Sequence, residues 1–103
     1  MATYHHPPTE SIELHQVLSA LGDATRIKIF TTLLDGQERT CSPLAASLGI
    51  ADSTLTYHLR ILREAGLTHT RPEGVARWTK LRTQDLNKRF PGLIKLLSSL
   101  LRA

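Results

Sequence analysis

Apolar residues recur at helical spacing along most of this chain. Leu55, Leu59 and Leu62 stand at i, i+4 and i+7 within Ser53–Ala65 and mark one buried helix face. Ser53, Thr56, Tyr57, Arg60 and Arg63 occupy the opposite face. Just upstream, Leu44-Ala45-Ala46-Ser47-Leu48 reads as a short helix stopped by Gly49, because glycine enters the left-handed conformation at least cost. With the turn Ile50-Ala51-Asp52 between them, the two helices form a helix-turn-helix. Nearer the N-terminus, Leu14, Val17, Leu18 and Leu21 give the stripe of a first helix, capped by Thr9 or Ser11 and ended by Gly22. A second helix is predicted over Ala24–Leu34, capped by Asp23, with Ile27, Phe30, Leu33 and Leu34 facing the core and Asp35-Gly36 ending it. Gln37–Thr40 reads as a polar loop, and Ser42-Pro43 opens the next helix, since proline suits the first helical position.

After Gly66, Leu67–Arg71 and Arg77–Arg82 are predicted as two short strands around Pro72–Ala76, because Thr68, Thr70, Trp78 and Thr79 favour extended structure. This hairpin stands where a winged helix has its wing. Thr83 caps a last helical region, Gln84–Leu101, interrupted by Pro91-Gly92. Leu93, Ile94, Leu96, Leu97, Leu100 and Leu101 crowd onto its apolar face, more than one stripe of a small domain uses. The excess predicts a homodimer built by the last helix with help from the first, through Leu14, Leu18, Leu93, Leu97 and Leu100. The plainer alternative is one thicker core. The expected fold is mainly α with a small β-hairpin: a winged helix-turn-helix of about five helices plus a two-stranded wing. Residues 1–8 form a flexible N-terminal arm and residues 9–103 the domain with its terminal dimerisation helices.

Charge changes this picture. A chain of 103 residues is one domain, and 41% hydrophobic with 21% charged residues is ordinary for a globular protein. The formal charge of +4 is uneven: residues 1–55 hold three Lys/Arg against six Asp/Glu, residues 56–103 ten against three. A basic half points to a polyanion, with a merely solvated surface as the alternative. A helix in the DNA major groove needs short polar groups at its N-terminal end and cations for phosphates. Ser53, Thr56 and Tyr57 fit base edges; Thr54, His58 and Arg60 fit the backbone, with a partly buried helix residue as the alternative for His58; Arg71 and Arg77, with Lys80 and Arg82, fit the wing. Arg26 opens the second helix, where a cation opposes the dipole, so it is expected to pair with a carboxylate or, as the lesser reading, a phosphate. Trp78 is expected to pack against the body.

Several motifs then fall in one order. Leu44-Ala45, Leu48-Gly49, Ser53-Thr54-Leu55-Thr56, His58-Leu59, Leu62 and Ala65-Gly66-Leu67 follow the pattern L-A-x-x-L-G-x-S-x-S-T-V-S-x-H-L-x-x-L-x-x-A-G-L. Ala20–Arg26 follows A-L-x-D-P-T-R, with Ala24 in place of proline. Over roughly Leu18–Leu81 the chain resembles the ArsR/SmtB family of small winged-helix repressors. The resemblance implies a dimeric, sequence-specific transcriptional repressor of a palindromic double-stranded DNA operator. The family's usual serine before the recognition helix is Ala51 here, which moves the cap to Asp52. Where metal-sensing relatives carry a cysteine pair, this chain has Thr40 and Ser42, and after Asp85-Leu86-Asn87 no histidine follows. A hydroxyl holds thiophilic metals poorly, so no metal site and no cofactor is expected. The implied release signal is non-metal, either redox or a small molecule, or there is no inducer.

The single cysteine, Cys41, excludes an intramolecular disulfide. At a helix start with Arg39 nearby its pKa could be lowered, making it a redox candidate; the plainer reading is a half-buried residue without a sensing role. His5, His6 and His15 could meet at a metal if the arm folded back, but solvent exposure is the expectation. No H-E-x-x-H, phosphate-binding glycine loop, G-x-S-x-G or C-x-x-C occurs, so an enzyme is not expected. The N-terminus does not read as a signal peptide, and Leu93–Leu101 is too short to span a bilayer, which leads to a cytoplasmic protein with no membrane partner. The competing function is a winged-helix protein–protein interaction module without DNA binding.

Overall fold

Six α-helices and a three-stranded antiparallel sheet make up residues 4–101, the part of the chain that this computed structural model describes. The helices are α1 (Leu14–Ala20), α2 (Ala24–Thr32), α3 (Cys41–Leu48), α4 (Asp52–Glu64), α5 (Thr83–Arg89) and α6 (Leu93–Leu101). The strands are β1 (Arg39–Thr40), β2 (Thr68–Glu73) and β3 (Ala76–Leu81), in the spatial order β1-β3-β2. This is a winged helix-turn-helix, with α3 and α4 as the helix pair and β2–β3 as the wing.

Local chemistry explains most boundaries. The Asp23 carboxylate accepts from the Arg26 backbone N–H at 3.1 Å and caps α2. Gly49 ends α3 in the left-handed conformation at φ 68°. Leu55, Leu59 and Leu62 are all buried, so the leucine stripe of α4 is its core face. They join Val17, Ile29, Phe30, Leu33, Leu44, Leu67, Leu81 and Leu86 in one apolar core.

The last helical region is two helices, because Pro91-Gly92 separates α5 from α6, which brings the count to six. The expected loop Gln37–Thr40 contains β1, whose Arg39 and Thr40 pair with Thr79 and Trp78 of β3; a two-residue strand carries no periodicity to read. The first helix is broken: Thr9–Ser11 is a separate 3-10 turn, and Ile12 and Glu13 are extended before α1 starts. The break lets Ile12 drop into the core, where it is 1% exposed. Within the α1 stripe, Val17 and Leu21 are buried while Leu14 and Leu18 stay exposed. Leu34 lies beyond α2 in a second 3-10 turn, Leu33–Asp35.

Residues 4–8 of the expected arm lie against the body. His6 stacks on His69 of β2, the ring centroids 4.2 Å apart. The Thr70 backbone N–H donates to His6 Nε2 at 3.0 Å, and Arg82 Nη1 donates to the Pro7 carbonyl at 2.7 Å. β2 is an edge strand, so this segment forms a strap along the open side of the sheet.

Candidate nucleic-acid interface

The outward face of α4 is built by subtraction. Its three leucines are consumed by the core, which leaves Ser53, Thr54, Thr56, Tyr57 and Arg60 exposed, as expected. Tyr57 is 52% exposed, with the Arg60 guanidinium 6.0 Å from its ring centroid. The start of the helix differs in detail. Ala51 is the N-cap and offers no side-chain bond; Asp52 is the first helical residue, and its carboxylate accepts from Ser42 Oγ at 3.1 Å. Asp52 therefore ties the beginning of α3 to the beginning of α4, and as an acid in the first turn it also favours the dipole.

His58 faces inward. Its ring is half-buried, and its Nδ1 lies 3.1 Å from Arg26 Nη1. Arg26 also donates from Nε to the Ala20 carbonyl at 2.6 Å, so its partners within the chain are a helix-end carbonyl and an imidazole in place of the expected carboxylate. The Asp23 carboxyl lies beside them and is held below the usual range, chiefly by its bond from the Arg26 backbone N–H.

The wing cations divide into two groups. Arg71 donates to both oxygens of Glu38 at 2.9 Å and to Glu73 at 3.1 Å. These bonds raise the Arg71 pKa further and hold the Glu38 carboxyl below its ordinary value. Arg82 is bonded to Asp85 at 2.9 Å as well as to Pro7, and Asp85 is lowered by that bond. Arg77, in contrast, reaches across to α4 and donates to Thr56 Oγ1 at 3.2 Å, while Thr56 Oγ1 donates to the Asp52 carbonyl at 2.9 Å. Arg77 thus stands at the seam between wing and recognition helix, with Lys80 exposed farther along β3. Glu38 escaped the sequence reading because its partner is 33 positions away and no local pattern joins them. Trp78 is half-buried beneath the Arg71 guanidinium, 5.6 Å from the ring centroid.

Cys41 is buried at the start of α3, and burial pushes its thiol above the ordinary value, with the Arg77 charge acting in the opposite direction and Asp52 in the same one. The direction is opposite to the lowering that a redox role would use and sides with the plainer reading, with the thiol more deeply buried than half: core residues enclose it, and Arg39 is engaged with Asp35. Among the described residues, no three His, Cys, Asp or Glu side chains gather to hold a metal ion. His6 is taken up by His69 and the strap, where burial first, then the charges of His69, Arg82, Arg63 and His5, lower its pKa to about 4. No helix of the described residues is long and apolar enough to cross a membrane. The leucines expected to pair two copies divide: Leu14, Leu18 and Leu100 are 43%, 50% and 65% exposed, as is the neighbouring Leu96 at 57%, while Leu93 and Leu97 pack partly on the core.

A polar, partly cationic helix face beside a basic strand, carried on a helix-turn-helix, defines a DNA-binding protein of the winged-helix class. A family profile for a helix-turn-helix domain matches residues 21–71. The chain is 35% identical over 83 residues to the HTH-type transcriptional regulator YceK of Bacillus subtilis, covering 80% of this chain and 83% of that one. The structure is similar to that of HlyU from Vibrio cholerae, with a TM-score of 0.73, 29% identity, and 86% and 91% of the two chains covered. A solution structure from Mycobacterium bovis aligns with a TM-score of 0.71 and 25% identity, over 86% of this chain and 78% of that chain. That protein is described as a homodimeric winged helix-turn-helix DNA-binding domain of a possible ArsR-family regulator. The chain belongs to the ArsR/SmtB family of winged helix-turn-helix transcriptional regulators. Its relatives are transcriptional regulators, not enzymes, and the reading as a protein-only interaction module finds no support among them.

Proposed function

We propose that this regulator is a cytoplasmic, dimeric repressor that sets the N-terminal end of α4 into the major groove of a palindromic operator. Ser53, Thr56 and Tyr57 meet base edges, Thr54 and Arg60 meet phosphates, and His58 holds the helix from behind. Arg77 lies nearest to the groove among the wing cations, and Arg71 joins it only by leaving Glu38. The observation that carries the reading is the exposed hydroxyl, phenol and guanidinium face of α4 over three buried leucines, with Arg77 bonded to its Thr56. The exposed leucines of α1 and α6 support a second copy as partner, as does the homodimeric M. bovis relative. Two copies related by a twofold axis read a palindrome, one half-site each. Thr40 and Ser42 at the start of α3 support release by something other than a thiophilic metal. Enclosure of Cys41 favours a small molecule over oxidation as that signal.

The test is fluorescence anisotropy with a duplex selected by the protein from a randomised pool, against a shuffled duplex, at two salt concentrations. The expected preference for the selected duplex is roughly 10³-fold or more, with affinity falling steeply as salt rises. Equal affinity for both duplexes at both salts overturns the proposal.

A further inference from the structure

Arg26 occupies a place where helix electrostatics disfavours a cation, the first turn of α2. Its side chain leaves that helix to satisfy two others. Nε donates at 2.6 Å to the carbonyl of Ala20, the last residue of α1, where the dipole of α1 favours a positive charge. Nη1 lies 3.1 Å from Nδ1 of His58 in the middle of α4. A guanidinium only donates, so His58 accepts at Nδ1 and carries its hydrogen on Nε2. The imidazole, held from behind, meets the ring of Tyr57 edge-on, with centroids 5.2 Å apart and planes at 68°. Tyr57 is the aromatic side chain exposed on the reading face of α4. An unbroken series of contacts thus runs from the end of α1, through Arg26 and His58, to the phenol that projects from the recognition helix.

We propose that Arg26 and His58 are positioning residues for sequence discrimination: the pair fixes the pose of Tyr57 on α4 and ties that pose to the end of α1. This rests on the reading of α4 as the base-contacting helix. A phenol on an exposed helix face has several staggered poses, and an immobilised ring behind it selects among them. Loss of the pair leaves phosphate contacts in place, so affinity for unselected DNA holds while preference for the selected duplex falls. The arrangement also gives α1 a mechanical route to the reading face: movement of the α1 end shifts Arg26, then His58, then Tyr57.

The experiment measures the ratio of affinities for the selected and the shuffled duplex, with thermal unfolding of each variant alongside. Arg26→Met keeps the aliphatic stem and removes the donors; it should lower the ratio about tenfold, the size of one base-pair contact. His58→Asn keeps an acceptor near the Nδ1 position and should hold the ratio within about twofold, whereas His58→Leu should behave like Arg26→Met, a contrast that separates bonding from bulk. His58→Leu carries the same expectation if Arg26→Met fails to fold. In a Tyr57→Ala background, Arg26→Met should change the ratio no further. If Tyr57→Ala lowers the ratio while Arg26→Met and His58→Leu leave it intact, the positioning role is overturned and the reading of α4 stands. Independent, multiplicative losses from Arg26→Met and Tyr57→Ala also overturn the positioning role. If Tyr57→Ala leaves the ratio unchanged, both fall.

Discussion

Replacing Gly66 by alanine tests how the recognition helix is joined to the wing. Gly66 stands in the three-residue link between α4 and β2 at φ 91°, a left-handed conformation. A Cβ built there lies 2.6 Å from Ile12 Cγ1, 2.9 Å from Cδ1 and 3.0 Å from Cγ2. Ile12 is 1% exposed and cannot swing into solvent. Two costs therefore add: about 1–2 kcal/mol for a left-handed alanine and about 1–3 kcal/mol for crowding a packed side chain, together about 2–5 kcal/mol. For a domain of this size that lowers the unfolding temperature by about 10–30 °C, a large part of a typical stability. Gly74 supplies the control. It has φ 60° but no heavy atom within 4 Å of the added Cβ, so Gly74→Ala meets the backbone cost alone. Calorimetry or urea unfolding of both variants isolates the contribution of Ile12. Shortening Ile12 to alanine in the Gly66→Ala chain should recover part of the loss, so the double variant is less destabilised than the sum. Equal destabilisation by Gly66→Ala and Gly74→Ala would refute the steric reasoning.

Other expectations follow from the same geometry. Leu100→Glu, at a position open in the single chain, should give a folded monomer in sedimentation with weakened operator binding; an unchanged dimer mass would remove α6 from the interface. Tyr57→Ala should alter which duplexes are preferred, at about 1–3 kcal/mol for the affected base pair, as read by repeating the selection. Arg77→Ala should weaken all duplexes alike and reduce the salt slope by about one counterion per subunit, whereas Arg71→Ala should change the slope less, because Glu38 and Glu73 already neutralise it. Identical slopes for the two variants would show that the ion pairs open on DNA. His6 should titrate by NMR near pH 4, well below an unperturbed histidine. Between about pH 6.5 and 4 the unfolded chain takes up a proton that the folded chain refuses, so the strap contributes fully above that window. Its contribution is lost as pH falls through 4, and exchange of the Thr70 amide should quicken in step. A His6 titration at the ordinary histidine value would contradict the packing of the strap against β2.

What could be read beforehand was what repeats locally. The leucines of α4, the Gly49 stop, the Asp23 cap and the Pro91-Gly92 break each act within a few residues, and each appears in the structure where the pattern placed it. The exposed reading face follows from the same periodicity, because whatever the core does not consume is left outside. Pairings across the chain were not legible. Arg26 finds His58 32 positions away, Arg71 finds Glu38 33 away, and Thr70 finds His6 64 away. Nothing in local spacing distinguishes Arg71, neutralised at the wing, from Arg77, which is turned toward α4; only the folded geometry separates them. Ile12 shows the same limit from the apolar side. It sits off the α1 stripe, and its burial depends on a glycine 54 positions later.

The strap over β2 has a bearing on how far assembly can proceed. An exposed strand edge is a template on which further chains can stack without limit. Here Pro72 offers no amide hydrogen on β2, and the amide of Thr70 is already claimed by the imidazole of His6 from the same chain. At the far side of the sheet, β1 is only two residues long. Growth by strand addition is blocked at one border and starved at the other, which leaves the exposed leucines of α1 and α6 as the apolar faces open to a partner. An assembly that uses only those helical faces, as proposed for the dimer, closes after two copies instead of extending.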